Sequence, residues 1–182
     1  MHALFKAALV ALSLLALPVL AHADPIPDTD RAAIAERVDA FDSAFRSGNM
    51  AAVFDFMPTK ILTTLAAQSG RSEDALKALM KEQIDIAFET VTIDEFGMDM
   101  ETATWATTPD GSRGYALIPT HTVMTVEGTG KMRSEGDTLA FADAGKWFLV
   151  RVDDPAQVQL LTANYPEFTG VTFAPATMQA IE

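Results

Sequence analysis

The sequence from Arg113 to Val152 is RGYALIPTHTVMTVEGTGKMRSEGDTLAFADAGKWFLVRV, and it decides the fold. It contains three segments, residues 114–127, 131–142 and 146–152, that are rich in Val, Thr, Leu, Ile and aromatic residues. Side chains of these types suit a pleated, half-buried surface. The two connections between the segments each contain the glycine that a tight reversal of the chain requires. This stretch therefore predicts an antiparallel meander of three strands.

The chain before residue 91 has the periodicity of helices. Apolar residues recur at spacings of three and four between residues 34 and 45, which is one stripe of an amphipathic helix, and Gly48 is expected to end that helix. Residues suited to cap or open the helices are spaced along this half: Asp28 or Thr29, Asn49, Pro58 and Ser72. We predict four helices in this half, each burying one face.

From residue 91 onward the period changes towards two, which indicates strands at residues 91–96 and 98–107. Pro109-Asp110-Gly111 is a turn signal, and it should join the second of these strands to the meander as a hairpin. After the meander we expect a last helix from Pro155 to about residue 164 and an extended tail at residues 169–182.

The order of these elements, helices first and antiparallel strands afterwards, is that of an α+β fold. The apolar face of the sheet needs a cover, and the helices supply it. We therefore predict N-terminal helices packed on a curved antiparallel sheet, as a cone-like α+β barrel with a C-terminal helix and an extended tail. No interior linker divides the chain, so residues 24–168 are predicted to form one domain, with the tail at residues 169–182.

Residues 1–23 have the pattern of a signal peptide. Lys6 precedes an apolar run of eleven residues, and Ala21-His22-Ala23 supplies the small residues that signal peptidase accepts. The run is shorter than the ~20 residues of a membrane span. We therefore expect cleavage between Ala23 and Asp24, export to the periplasm or the medium, and no membrane attachment afterwards.

The composition excludes several classes of partner and chemistry. Without Lys6 the chain has 12 basic and 25 acidic residues, a formal charge of −13. Nucleic acids and anionic membranes both require a cationic face, so neither is expected as a partner. The sequence contains no cysteine, which excludes disulfides and thiol chemistry.

Two further stretches carry a resemblance to a known family. FDSAFRSGN at residues 41–49 joins a first helix to a short second one, and GKWFLV at residues 145–150 forms a late strand. With a helical first half and a hairpin-rich second half, the chain resembles the nuclear transport factor 2-like (SnoaL-like) superfamily over about residues 31–152. The resemblance implies a bent sheet with a cavity between it and the helices.

Phe41, Trp105, Tyr115, His121 and Met124 are the candidate ligand-binding residues. His121 is the only histidine after residue 23, and it suits either a pocket-lining acid, base or donor or a satisfied structural position. The two aromatic residues on strands could stack on a ligand, and methionine adapts to apolar ligands, although both types are also ordinary core residues.

The sequence contains no catalytic or metal-binding motif. Its adjacent carboxylates, such as those at residues 94–95 and 153–154, are not set in a loop with the spacing of a calcium site. The single histidine of the mature chain excludes a histidine cluster. We therefore predict no catalytic residue, no metal and no cofactor.

Two functions fit these observations. The first is an exported binding module for an apolar or amphipathic small molecule or for a protein, using the cavity between sheet and helices or the open sheet face. The second is a small cavity enzyme, an isomerase or a hydrolase, because the resembled superfamily includes a ketosteroid isomerase. That chemistry needs a carboxylate base and a hydroxyl or acid donor in an apolar pocket. We favour the binding module, since neither tyrosine lies on the first or third helix.

The strands also bear on assembly. Trp147 and Leu149 make one face of their strand apolar, and Phe148 and Val150 make the other face apolar as well. One layer of helices covers only one face of a sheet. The second face would be covered by the tail or by a second copy of the chain, and the tail offers few apolar residues. We therefore predict a homodimer through the sheet.

Overall fold

The computed structural model describes residues 26–182, so the predicted signal peptide lies outside the described residues. The helices are α1 (Asp28–Arg46), α2 (Met50–Val53), α3 (Thr59–Gln68), α4 (Glu73–Phe88) and α5 (Pro155–Asn164), with short 3₁₀ turns at Phe54–Phe56 and Pro166–Phe168. The strands are β1 (Val91–Met98), β2 (Thr104–Thr107), β3 (Gly114–Val126), β4 (Gly130–Asp143), β5 (Lys146–Arg151) and β6 (Thr177–Ala180). Helices are followed by an antiparallel sheet that curls into a half-barrel, which confirms the predicted α+β fold.

The connection between α1 and α2 is built as predicted. Gly48 has a φ of 69°, in the left-handed region that favours glycine. The N–H groups of Gly48 and Asn49 donate to the carbonyls of Phe45 and Ala44, which is the Schellman arrangement at a helix end. The Asn49 side chain then accepts a backbone N–H at 3.2 Å and caps α2.

The starts of α1 and α3 differ from the prediction, whereas the start of α4 agrees with it. Pro27, rather than Asp28 or Thr29, is the N-cap of α1, and no side-chain hydrogen bond caps that helix. Pro58 lies just before α3 instead of inside its first turn, because its ψ of 135° is extended. Ser72 caps α4 as predicted, with its hydroxyl accepting a backbone N–H at 3.2 Å.

Strand β3 is the centre of the sheet. It pairs on one side with β4 and on the other with β2 and β1, while β5 and β6 share the far edge of β4. The predicted meander corresponds to β3, β4 and β5, and the predicted hairpin turns through Gly111 with a φ of 72°. The tail is extended, and its last part is β6, antiparallel to residues 132–135 of β4.

The predicted strand at residues 98–107 is wrong in extent. β1 continues to Met98, residues 99–103 leave the sheet, and β2 begins at Thr104. The Asp99 carboxylate accepts hydrogen bonds from the N–H groups of Glu101 and Thr102 at 2.9 and 3.2 Å. A side chain that bonds to the backbone in this way offers the chain an alternative to the strand ladder. The alternating pattern of this stretch did not reveal that competition.

One face of the sheet, here called the α1 face, is covered by α1. The buried residues of this face and its cover form one cluster: Ile34, Val38, Phe56, Ala116, Ile118, Ala140 and Leu149. Further along the same face Met124, Val126 and Met132 are only partly buried. The first helix therefore covers one end of its face and leaves the other end more open.

The opposite face, here called the α5 face, is covered by α5, by α3 and by the C-terminal segment. Its buried cluster contains Ile61, Tyr115, Leu139, Phe141, Val152, Leu161, Tyr165 and Phe168. Val171 and Phe173 of the tail pack against this cluster. The second apolar face is thus covered within the chain, so the reason given for a homodimer does not apply to this face. Homodimerisation itself stays a prediction.

Helix α4 departs from the prediction that every helix buries one face. Leu76 is its one residue that is buried, while Ile86 and Phe88 near its end are 51% and 40% exposed. Helix α4 contacts α2 and α3, and its last turn lies beside β1. The predicted apolar stripe is therefore buried at its start and exposed at its end.

Candidate functional site

A bay opens on the α1 face, where the cover by α1 ends. It encloses about 140 Å³ between the helix and the sheet. Its walls are apolar and consist of Phe41, Phe45, Phe96, Met98 and Leu149. Its polar lining consists of Thr120, Thr122, Thr138 and Arg151. An apolar wall with a few convergent polar groups is the usual composition of a small-molecule pocket.

Rings from α1 and β1 form the wall of the bay. The ring of Phe41 lies 5.1 Å from that of Phe56 and 5.7 Å from that of Phe96, measured between centroids. The rings of Phe45 and Phe96 are 4.5 Å apart. Aromatic pairs at these separations gain about 0.5–1.5 kcal/mol beyond the burial of their area. The wall is therefore held by mutual packing of its rings as well as by the helix.

Threonines of β3 and β4 form the polar floor of the bay. The Thr120 hydroxyl donates to the carbonyl of Ile118 at 3.0 Å and lies 2.8 Å from the Thr138 hydroxyl. A hydroxyl has a single hydrogen, so when Thr120 donates to the carbonyl, Thr138 donates to Thr120. The oxygen of Thr138 then keeps lone pairs with which it can accept a hydrogen bond from a ligand.

Thr122 differs from the other two threonines because its hydroxyl has no hydrogen-bond partner among residues 26–182. The residue is 8% exposed. Its oxygen is not sealed off, because within the described part of the chain no fully buried side-chain nitrogen or oxygen lacks a partner. A hydroxyl that a ligand covers without pairing loses free energy. A group that enters the bay and hydrogen-bonds to Thr122 avoids that loss.

Arg151 of β5, which lines one side of the bay, belongs to an ion pair. Nε of Arg151 donates to Oδ2 of Asp153 at 2.8 Å, and a second bond runs from Nη2 to the same oxygen. The carboxylate of Asp153 lies over Gly136, where an added Cβ would be 2.5 Å from Oδ2. The missing side chain at Gly136 therefore makes room for the carboxylate that compensates the charge of Arg151.

The bay lies beside a wider cleft of about 610 Å³, and Phe45 and Phe96 line both. The cleft lies between the end of α1, the last turn of α4 and residues 91–96 of β1. Phe88 and Ile93 are among its apolar residues. Its charged residues are Arg46, Asp85, Asp94 and Glu95. The small bay and the larger, more open cleft are thus neighbours on either side of these two rings.

Three of the five candidate binding residues lie on the α1 face, but only Phe41 lines the bay. Met124 lies further along the face, opposite Ile93 of β1 and Met132 of β4. Trp105 lies on β2 at the other end of the face, with the Arg31 guanidinium 4.7 Å from its ring centroid. The structure therefore separates these three residues.

The other two candidates lie on the α5 face. Tyr115 is buried with its ring 5.6 Å from that of Phe168, and burial raises the pKa of its phenol. His121 lies over Gly97, and its Nε2 is 2.9 Å from a carboxylate oxygen of Glu95. Neither side chain reaches the bay, whose described lining contains no carboxylate, histidine or tyrosine.

The threonines of the floor were missed in the sequence. Thr120 and Thr122 alternate with His121 and Val123, and the same alternation continues from Ile118. Since side chains two apart share a face of a strand, the pattern did place these threonines on the face of Ile118. The pattern did not show that α1 stops covering the sheet at this point.

No group of three or more His, Cys, Asp or Glu side chains that could hold a metal ion occurs within residues 26–182. Among the same residues, no helix has the length and apolar character needed to span a membrane. Comparison with protein-family models, with curated proteins and with solved structures gave no match for this chain.

Proposed function

We propose that this chain is an exported small-molecule-binding protein that takes an apolar or amphipathic ligand into the bay on the α1 face. The outer part of the ligand lies in the adjoining cleft. The observation that carries the proposal is a floor of threonine hydroxyls inside an aromatic wall, with Thr122 unpaired within the described chain.

Membership of the nuclear transport factor 2-like superfamily is part of this proposal. It is supported by the order of a long helix, Gly48-Asn49, a short helix and a curled antiparallel sheet. The strand that contains Trp147 also has the position that the resemblance requires, as β5 at the end of the meander. The location of the bay between α1 and the sheet agrees with the cavity that the resemblance implies.

The energetics favour a ligand of this type. Removal of apolar surface from water contributes about 25 cal/mol per Å². Five apolar side chains line the bay, and the cleft adds Phe88 and Ile93. The apolar part of a ligand therefore supplies the binding free energy, and the hydroxyls of the floor orient it.

A binding titration with a neutral fluorescent probe tests this proposal. The chain that begins at Asp24 is titrated with Nile red, together with Thr122→Leu, which fills the bay, and Thr104→Leu as the matched control. Thr104 is an exposed residue of β2 on the α5 face. We expect Thr122→Leu to weaken probe binding at least about tenfold, because the added carbons occupy a space of only 140 Å³.

Thermal melts of both variants accompany the titration, so that lost binding is separated from lost folding. The control should bind the probe as the unchanged chain does. Equal probe affinities for the unchanged chain and for a folded Thr122→Leu would show that the bay is not the binding site.

Export is tested on the protein recovered from its native host. We expect its intact mass to correspond to a chain that starts at Asp24, found outside the cytoplasm. A chain that keeps residues 1–23 would contradict this part of the proposal.

A further inference from the structure

We infer that the ligand of this site is an uncharged amphiphile, whose hydroxyl, carbonyl or amide head enters the bay first and whose apolar tail lies in the cleft. This inference rests on the proposed function and adds the chemical class of the ligand. Three features support it: the paired charges around the bay, the hydrogen-bonding groups of its floor, and the volumes of the bay and the cleft.

The charges around the bay are already compensated. Arg151 is the one ionisable residue in the described lining, and its guanidinium makes two hydrogen bonds to Asp153. On the cleft side, Nε of Arg46 is 2.7 Å from a carboxylate oxygen of Asp42, and Nη2 donates to the carbonyl of Phe96 at 3.0 Å. An anionic head would leave water and find no cation that lacks a carboxylate partner, so hydrogen bonds alone would have to offset the loss of its hydration.

A cationic head is also disfavoured in the bay, because it finds no free carboxylate in the described lining. It would lie beside the guanidinium of Arg151, whose own carboxylate partner is already engaged. A ligand that entered tail first would place a cationic head near Asp94 and Glu95 in the cleft. It would leave the Thr122 hydroxyl facing an apolar tail, at the cost of an unpaired hydroxyl.

The floor matches a neutral polar head. Thr122 can donate one hydrogen bond and accept another, and the oxygen of Thr138 can accept. A hydroxyl group fills both roles at once, since it donates and accepts. A cavity of about 150 Å³ accepts a benzene ring, so the 140 Å³ of the bay suits a head of about six non-hydrogen atoms. The remaining tail fits the cleft, against Phe45, Phe88 and Ile93.

Three probes that share one tail test the inference: octanol, octanoate and octylammonium. Each is titrated calorimetrically into the chain that begins at Asp24, near neutral pH. We expect octanol to bind at least about tenfold more tightly than either ion, because neither charge finds a free partner. Thr122→Val keeps the shape of the side chain and removes its hydroxyl, so it should weaken octanol binding about fivefold. The matched control Thr104→Val should leave octanol binding unchanged.

The variant Asp153→Asn tests whether the pairing of Arg151 with Asp153 is what disfavours an anionic ligand. It leaves the charge of Arg151 without its carboxylate, so octanoate should gain affinity at least about fivefold while octanol binding stays within about twofold. The comparison of the three probes on the unchanged chain stands whether or not this variant folds.

The outcomes separate this inference from the proposed function. Octanoate or octylammonium binding as tightly as octanol would overturn the uncharged class and leave the proposed function standing. If none of the three probes binds, and if Thr122→Leu does not alter Nile red binding, both the inference and the proposed function are overturned.

Discussion

The two faces of this sheet are built from the same kinds of residue and are closed to different degrees. On the α5 face, the ring of Phe141 lies 4.8 Å from that of Tyr165 and 5.2 Å from that of Phe168, and the tail packs against the same cluster. On the α1 face, one helix covers one end of the face and leaves the bay and the cleft. The difference arises from the cover, since the strands are common to both faces.

The apolar pattern of a strand shows that a face is covered, but it does not show how completely. Alternate residues of one strand point to opposite faces, so a strand that is apolar throughout predicts two faces to be covered. It does not predict how completely each is covered. Thr120, Thr122 and Thr138 bring hydroxyl groups to the part of the α1 face beside the helix, whereas Leu139 and Phe141 at the centre of the α5 face are apolar and 0% exposed.

The largest expected effect lies on the α5 face. Phe141→Ala should lower the free energy of unfolding by about 3–5 kcal/mol, because a large cavity would remain among fixed rings. Phe88→Ala deletes the same side chain on the exposed end of α4 and should change stability by less than about 1 kcal/mol. Urea unfolding of the two variants measures both values. Similar losses in the two variants would show that the faces are not packed differently.

The cover supplied by the tail is tested by a chain that ends at Phe168. We expect this chain to lose about 2–3 kcal/mol of unfolding free energy, since the partly buried Val171 and Phe173 no longer cover the α5 face. Sedimentation of the full-length and shortened chains also tests the predicted homodimer. If the full-length chain is a monomer and the shortened chain associates, the tail takes the place of a second copy. A shortened chain of unchanged stability would show that the tail is not part of the cover.

Much of the fold was predictable because short-range chemistry fixes it. Gly48, Gly111 and Ser72 end or start their elements as expected, each through a conformation or hydrogen bond within a few residues. The strand at residues 98–107 was predicted too long because the Asp99 side chain bonds to the following backbone. The stripe of α4 was predicted to be buried, but periodicity does not show whether another element reaches the end of a helix.

The candidate site was less predictable, since it depends on where α1 stops relative to the sheet. Phe41 lies on the apolar stripe predicted for the first helix, and it lines the bay. Tyr115 and His121 were grouped with it by chemical type, although the alternation of β3 sets both on the face opposite to Thr120 and Thr122. Applying that alternation to every candidate would have separated the two groups. It would not have revealed the bay, which requires the position of the helix.

A third prediction concerns alkaline pH and again the α5 face. Burial, together with the hydrogen bond from the Tyr165 hydroxyl to Asp143 at 2.9 Å, raises the pKa of Tyr165 above its ordinary value of 10.0. The folded state thus favours the neutral phenol. This contribution to stability is complete below about pH 10 and is lost as the pH rises further, because the unfolded chain then releases the proton first.

Tyr165→Phe tests this dependence. It should cost about 1 kcal/mol at neutral pH by removing the hydrogen bond, and it should make the loss of stability above about pH 10 less steep. Tyr115→Phe is the comparison, since burial raises the pKa of that phenol without a carboxylate partner. Urea unfolding between about pH 9 and pH 11 measures the slopes. An unchanged slope in Tyr165→Phe would contradict the assignment.

The smallest effect on stability is expected at the end of α4, where the effect on binding should be the clearer one. Phe88 is 40% exposed and lines the cleft, whereas Ile86 is 51% exposed and is not part of its described lining. Phe88→Ala and Ile86→Ala should therefore leave the thermal melt nearly unchanged. Nile red binding should weaken about threefold to tenfold in Phe88→Ala alone, because, of these two side chains, only the ring of Phe88 lines the cleft. Equal weakening in both variants would indicate adsorption to the exposed helix end, and no weakening in either would show that the ligand does not extend into the cleft.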